Sequence, residues 1–443
     1  MRRPPKKLQP RLEALEDRRL LSSITPAQMR HAYGVDAIAY SVNGKIVPGD
    51  GAGQTIAVVV AYHNPYVADE LRAFDARFGL PDPNLIQVNF AGNQVDPGWA
   101  EEEAMDVQWA HAMAPAATIM VVEARSPSLG DLMNAVNYAR QQPGVSVVSM
   151  SWGSGEFRGQ TNYDSIFSTP AGHNGVTFVT ASGDSGAFSG SQWPASSSHV
   201  VAVGGTTLYT DAAGNVQGEN AWSGSGGGIS RLISQPSYQR GAQNTGRRTT
   251  PDISMVADPA TGAPVYSISP ITGKGSWKVF GGTSLAAPMF GAMVAIANQG
   301  RQFRGLNTLD GPTQTLPTLY AASSGSFRDV TAGSNGYGAG SGYDLATGRG
   351  VPKGPLLVND LVNAATAPVS QPVSFRPKGR VIRRARRRAE ETMAAAAQTP
   401  QAVASTALGA LPDFSAHPGA FSGRRNLFAA RQPGGGWVAQ RLA

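Results

Sequence analysis

Cysteine is absent from the 443 residues. Disulfides and thiolate metal sites are therefore excluded, and stability has to come from packing or from a bound ion. Long apolar runs are missing too: none approaches the ~18–20 residues that a membrane-spanning helix needs. The N-terminus is positively charged but lacks the apolar stretch of a standard secretory signal. Histidine is scarce, with six residues at 31, 63, 111, 173, 199 and 417, and none stands in a His-Gly-Thr-His type setting. A serine hydrolase built on a histidine base is therefore not indicated, and these histidines read as surface or packing residues. What is plentiful is glycine (53) and proline (31), which suits a loop-rich α/β domain better than a helical bundle.

The net charge of +7 is unevenly placed. Residues 1–23 carry seven Lys/Arg against three Asp/Glu, and residues 367–443 carry twelve against three. Taking both ends from the totals of 37 and 30 leaves 18 basic and 24 acidic residues in 24–366, so the central body is acidic. No nucleic acid is expected for that body, and any such contact belongs to the ends.

The chain divides accordingly. Residues 1–23 form a basic segment expected to be disordered, and Leu12–Ser22 is similar to short leaders of some bacterial surface and exported proteins. From Ile24, strand-like and helix-like stretches alternate. The spacing predicts strands at Thr55–Ala61, Leu85–Phe90, Thr118–Glu123, Val145–Ser151 and Gly175–Ala181, and helices at Val67–Phe78, Glu101–Met113 and Leu129–Arg140. Such alternation predicts parallel βαβ units in a sheet covered on both faces, with the site at the carboxyl ends of the strands. Residues 367–443 hold an arginine run within Arg376–Arg388 and then Ala/Gln/Pro/Gly-rich sequence, read as a disordered basic tail.

Gly281-Gly-Thr-Ser-Leu-Ala-Ala287 precedes an apolar helical pattern over Ala286–Asn298, with Pro288 expected in its first turn. Ser284 thus falls on a glycine-rich turn at the positive end of a helix dipole, a useful place for a nucleophile, although a lone turn of this kind is as readily a helix cap. Glu102 and Asp106 stand four apart on one helix face, where like charges repel. If secluded, the pair cannot both ionise easily, and it can serve as a general base working in acid. Glu103 competes with Glu102 by geometry. Asp184, in Ala181-Ser-Gly-Asp-Ser-Gly186, sits on a turn after a strand. Kept protonated, it could donate a hydrogen bond to an oxyanion.

At this point the sequence resembles the sedolisin, or serine-carboxyl, peptidases. Four motifs match in order: Glu102-Glu-Ala-Met-Asp106, Ser149-Met-Ser-Trp-Gly153, Ala181-Ser-Gly-Asp-Ser-Gly186 and Gly282-Thr-Ser-Leu-Ala-Ala-Pro288. Trp222–Ser230 and Pro251–Pro259 are also similar to family segments, and the likeness runs from about Ile24 to Leu361. The resemblance implies a subtilisin-like parallel α/β fold in a single large catalytic domain, residues 24–366. It implies Ser284 as nucleophile, Glu102 rather than Glu103 as general base, Asp106 holding and tuning Glu102, and Asp184 as the oxyanion acid. Trp152, Ser223, Gly224, Gly226 and Gly227 would line the substrate cleft. One structural calcium ion is implied, held by the carboxylates of Asp329 and Asp344 and the carbonyls of Val330, Gly340 and Gly342.

Two departures stand beside it. Only 23 residues precede Ile24, against the long folded pro-domain usual in such peptidases. Val60 occupies the place where subtilisins carry their catalytic Asp, which argues against a Ser-His-Asp mechanism. The expectation is a monomeric serine-type endopeptidase acting on unfolded polypeptides at acidic pH, extracellular or at the cell surface. Release of tripeptides ranks below internal cleavage. The alternatives are a catalytically silent surface or binding protein on the same scaffold, and nucleic-acid binding by the arginine tail.

Overall fold

The computed structural model describes residues 23–82 and 84–365. The expectations for the basic leader and the arginine-rich tail fall on residues outside that range, Ser23 apart. Strands of the main sheet are labelled β1 to β8 and the four helices around the site α1 to α4.

Thr55–Ala61 (β1) is β-branched or alanine throughout and buried from Ile56 onward, as a strand covered on both faces must be. Val67–Phe78 (α1) ends at Gly79, whose φ of 69° only glycine adopts at little cost. Leu85–Asn89 (β2) follows. Pro97–Met113 (α2) begins one turn earlier than the apolar spacing predicts. The reason is local: the Asp96 carboxylate caps the helix by accepting from Gly98 N (2.9 Å) and Trp99 N (3.0 Å), and Pro97 presets the first turn. Thr118–Ala124 (β3), Leu129–Ala139 (α3, capped by Ser128) and Val145–Met150 (β4) lie within a residue of expectation. Thr177–Ala181 (β5), Val200–Thr210 (β6), Val216–Ala221 (β7) and Ile253–Val256 (β8) complete the sheet.

The eight strands run in the order β7-β6-β5-β4-β1-β3-β2, with β8 pairing β6 next to β7. All pairs are parallel except β6 with β7. Parallel pairing is what the βαβ spacing predicts. The antiparallel edge arises because β6 and β7 are joined by a short turn with no crossover helix.

Thr283–Phe303 (α4) is buried from Thr283 to Arg301, the pattern of a central helix rather than a surface one. It packs against α2 and against β4, β5, β6 and β8. Pro288 is the sixth residue of α4 rather than part of its first turn, because the helix starts at Thr283 and not near Ala286. Among the described residues, no helix is long and apolar enough to cross a membrane.

Candidate active site

Three segments distant in sequence meet at the carboxyl edge of the sheet. Ser284 is the second residue of α4, preceded by Gly282 at φ 102°. Position 282 has to be glycine twice over, since a Cβ there would stand 2.9 Å from Asp184 Oδ2. Asp184 follows β5 on a turn bracketed by Gly183 and Gly186, both at positive φ. Its Oδ1 accepts from Thr283 N (2.7 Å) and Thr283 Oγ1 (2.8 Å), and the Gly183 N–H donates in turn to Thr283 Oγ1 (3.0 Å). Glu102 and Asp106 project from α2 toward this meeting point. The Ser284 hydroxyl lies close enough to the Glu102 carboxyl to favour its charged form, and it donates at 3.5 Å to the Ser151 carbonyl. The four groups are nearly sealed: Ser284 and Asp184 are 4% exposed, Glu102 5% and Asp106 not at all.

Sealing decides the proton chemistry. Burial pushes the Glu102 carboxyl up to about 8, against the pull of the nearby Ser284 hydroxyl. Burial also drives Asp106 well above the carboxylate range, and the neighbouring Glu102 charge raises it further, against the Ser151 hydrogen bond. The two carboxyls sit together in seclusion, so both hold their protons above the ordinary range and they do not ionise together. Asp184 is raised by burial to about 6, the two Thr283 hydrogen bonds opposing. With Oδ1 occupied by two donors, Oδ2 is the oxygen left to carry the proton. Below about pH 6 Asp184 is thus a neutral acid, able to donate.

Glu103 does not join this group. It is buried beside Glu70 and Glu123, and neither of its carboxyl oxygens has a hydrogen-bond partner. Burial first, then the Glu123, Glu70 and Asp106 charges, hold its proton well above the ordinary range. Asn64 bridges its neighbours, donating from its backbone N to Glu123 Oε1 (2.9 Å) and from Nδ2 to Glu70 Oε2 (2.7 Å). Glu70 is itself raised to about 7, chiefly by burial. These carboxyls were not recognisable as a group, since Glu70, Glu103 and Glu123 lie on α1, α2 and β3 and share no motif.

Comparison with known proteins gives the arrangement a context. The sequence profile described as the subtilase family matches residues 91–335, more than half of the chain. Kumamolisin from Bacillus sp. (strain MN-32) is 34% identical over 357 residues, covering 72% of this chain and 61% of kumamolisin. Sedolisin from Pseudomonas sp. (strain 101) is 38% identical over 214 residues, covering 43% of this chain and 34% of sedolisin. The chain thus spans less than two thirds of either relative's length. The solved Pseudomonas sedolisin, described as a serine-carboxyl proteinase, superposes with a TM-score of 0.65 at 27% identity, covering 76% of this chain and 97% of that one. The chain belongs to the subtilase family, in its serine-carboxyl branch.

For a serine-carboxyl family member, histidine should be idle, and the five described histidines are bonded elsewhere. His31 meets Asp36 and Asn215, His63 meets Glu123, and His111 meets Pro81 O and Asp75. His173 meets Asn174 O and Gln142 O, and His199 meets Ser168. Val60 is buried in β1, beside Val59, whose carbonyl takes the Trp152 indole N–H at 3.0 Å.

The predicted cleft residues separate. Trp152 is almost wholly buried, yet it borders a small apolar recess with Pro127, Leu129, Leu132, Gly153, Ser154 and Trp193. Ser223 is exposed and Gly224 half-buried, so both remain at the rim. Gly226 and Gly227 are buried rather than displayed as an open edge. A Cβ would meet Ser182 O at 2.2 Å from position 226 and Leu345 O at 2.2 Å from position 227. Gly226 braces the turn carrying Asp184: its N donates to Gly183 O (2.5 Å) and its carbonyl accepts from Ser182 Oγ (2.7 Å).

Asp329 and Asp344 converge on one loop: Gly342 N donates to Asp329 Oδ2 (2.9 Å) and Gly340 N to Asp344 Oδ2 (2.9 Å). Neither forms an ion pair among the described residues. Asp344 Oδ1 also accepts from Ala346 N (2.8 Å) and Thr347 N (2.7 Å), so backbone donors already hold this carboxylate, and a hard cation that takes oxygen ligands would compete with them. Among the described residues, no cluster of three or more His, Asp or Glu side chains is placed to hold a metal, so any ion here leans on backbone carbonyls.

Proposed function

We propose that this protein is a serine-type endopeptidase that cleaves unfolded polypeptides at acidic pH. The observation that carries the reading is the convergence of Ser284, at the start of α4, with the buried carboxyls of Glu102, Asp106 and Asp184. In this reading Ser284 Oγ attacks the scissile carbonyl while Glu102 takes its proton, acting through the small fraction that is ionised below about pH 8. The carbonyl electrons move onto oxygen, and the oxyanion is met by the proton on Asp184 Oδ2. Collapse expels the amine, which takes the proton back from Glu102, and an acyl-enzyme remains. Water then attacks the ester with Glu102 again as base, and the acid product leaves Ser284 free. The same reading places the protein's work in an acidic setting outside the cytoplasm, as a monomer.

Internal cleavage is separable from removal of N-terminal tripeptides. Incubating a denatured protein with the enzyme at pH 3 to 8 and sequencing the products by mass spectrometry should give internal fragments in acid; above about pH 6 loss of the Asp184 proton opposes the growing ionised fraction of Glu102. A ladder of N-terminal tripeptides would replace the endopeptidase reading. No cleavage at any pH would favour the silent scaffold.

The reading includes one structural Ca2+ held by the Asp329 and Asp344 carboxylates and the carbonyls of Val330, Gly340 and Gly342. Calcium there would neutralise the two carboxylates and fasten the loop. Chelation should therefore lower the unfolding temperature, and added Ca2+, but not Mg2+, should restore it. A ligand present at 100 times its Kd stabilises by about 2.7 kcal/mol. An unfolding temperature indifferent to chelator and calcium, in wild type and Asp344→Ala alike, would remove the ion.

A further inference from the structure

Ser151 lies just past the end of β4, buried between α2 and α4, and its hydroxyl is within reach of two acceptors. Ser151 Oγ stands 2.9 Å from Asp106 Oδ1 and 3.3 Å from the Ser284 carbonyl oxygen. A hydroxyl has one hydrogen and cannot donate to both at once, though it can donate to one while accepting from the other.

The Ser284 carbonyl has an unusual need. In an α-helix the carbonyl of residue i takes the N–H of residue i+4, and the residue four after Ser284 is Pro288, inside α4, with no N–H to give. The carbonyl of the nucleophile is thus deprived of its ordinary helical donor at a buried position. A buried carbonyl left without a donor is costly.

Only one placement of hydrogens satisfies the whole row. If Asp106 carries its proton on Oδ1 and donates it to Ser151 Oγ, the Ser151 hydrogen is free for Ser284 O. If Asp106 is ionised, its carboxylate draws the Ser151 hydrogen and Ser284 O is orphaned. Asp106 Oδ2 is buried and has no partner. The charged and titratable groups around Asp106 are Glu102 and Glu103 on its own helix.

We propose that Ser151 is a positioning residue: its hydroxyl accepts a hydrogen bond from protonated Asp106 and donates its own to the Ser284 carbonyl, replacing the helix N–H that Pro288 lacks and tying the proton on Asp106 to the seating of the nucleophile. This rests on Ser284 acting as the nucleophile. Ser151 itself touches no reacting atom through its hydroxyl. Its effect should appear in kcat rather than in KM.

The arrangement makes an unusual rescue possible. Ser151→Ala removes the donor, and Pro288→Ala restores the N–H that would otherwise serve the same carbonyl. Measured at pH 4 on a peptide substrate, Ser151→Ala should lower kcat by 10- to 100-fold with KM within about twofold, and Ser151→Thr should stay within a few-fold of wild type. Pro288→Ala alone should change little, and Ser151→Ala combined with Pro288→Ala should recover at least tenfold of the loss. Ser151→Cys, with its weaker donor, provides an intermediate case should the alanine variant not fold. A double variant no more active than Ser151→Ala, or a folded Ser151→Ala or Ser151→Cys equal to wild type, would overturn the proposal. If wild type cleaves nothing, the nucleophile reading has failed. The hydrogen-bond exchange is then judged by the same cycle in thermal unfolding, where additive effects of the two substitutions would overturn it.

Discussion

Ser284→Ala should abolish peptide cleavage, with kcat lower by about 10^5 and the unfolding temperature near that of wild type. A nucleophile that works as a unit with its base carries most of the chemical acceleration, and what survives its loss comes from binding and the oxyanion site. Ser284→Ala loses one hydroxyl and its long bond to the Ser151 carbonyl, so the fold is little disturbed. Glu102→Gln should cost nearly as much, because glutamine keeps the shape and cannot take a proton. Asp184→Ala should cost less, about 10^2–10^3 in kcat, the usual effect of deleting one oxyanion donor. The double variant Ser284→Ala/Glu102→Gln should be hardly worse than either single change. Kinetics on purified, folded variants check all four. Substantial activity in Ser284→Ala would remove the serine mechanism, and additive losses in the double variant would mean that the two residues do not act together.

The protein should be most stable in acid, losing stability steadily between about pH 4 and pH 8. Glu102, Glu70 and Asp184 hold protons up to about 8, 7 and 6 in the folded state, against ordinary values of 4.5, 4.5 and 3.8. Glu103 and Asp106 shift in the same direction. Below about pH 4 folded and unfolded chains are both protonated at these sites and nothing is gained or lost. As pH rises, the unfolded chain releases protons that the folded chain keeps, so unfolding becomes easier until each folded-state group has titrated. Each such group weakens folding by about 1.4 kcal/mol per pH unit across its own window. Together they reach the order of several kcal/mol, enough to lower the unfolding temperature by about 10 °C or more.

Glu103→Gln makes the test specific. Glutamine is neutral at every pH, so the variant should match wild type near pH 4 and exceed it at pH 7 to 8. Calorimetric unfolding across pH 3–8 would show both effects. A stability maximum at neutral pH, or a Glu103→Gln variant shifted equally at all pH values, would contradict the assigned proton states.

How much of this was legible beforehand depends on the range of the interactions. The βαβ alternation is written in local periodicity: β-branched runs such as Thr55–Ala61 have to be buried on both faces, and Gly79 ends α1 because only glycine takes that conformation easily. The candidate positions were legible because each sits in a short motif whose backbone demands are local, such as the glycines around Asp184 and before Ser284. The early start of α2 was also in the sequence, in Asp96 and Pro97, but apolar spacing alone passes over a polar cap.

Sequence by itself determined the parallel sheet and pointed to Ser284, Glu102, Asp106 and Asp184 as candidates for one site. Only the tertiary structure decided that Glu103 belongs to a separate group with Glu70 and Glu123, that Gly226 is buried against the turn carrying Asp184, and that Ser151 stands between Asp106 and the carbonyl left bare by Pro288. The reason is physical. Periodicity and turn chemistry act over a few neighbouring residues, whereas burial, proton affinity and the partner of a single hydroxyl are set by which distant segments the folded chain brings within hydrogen-bonding reach.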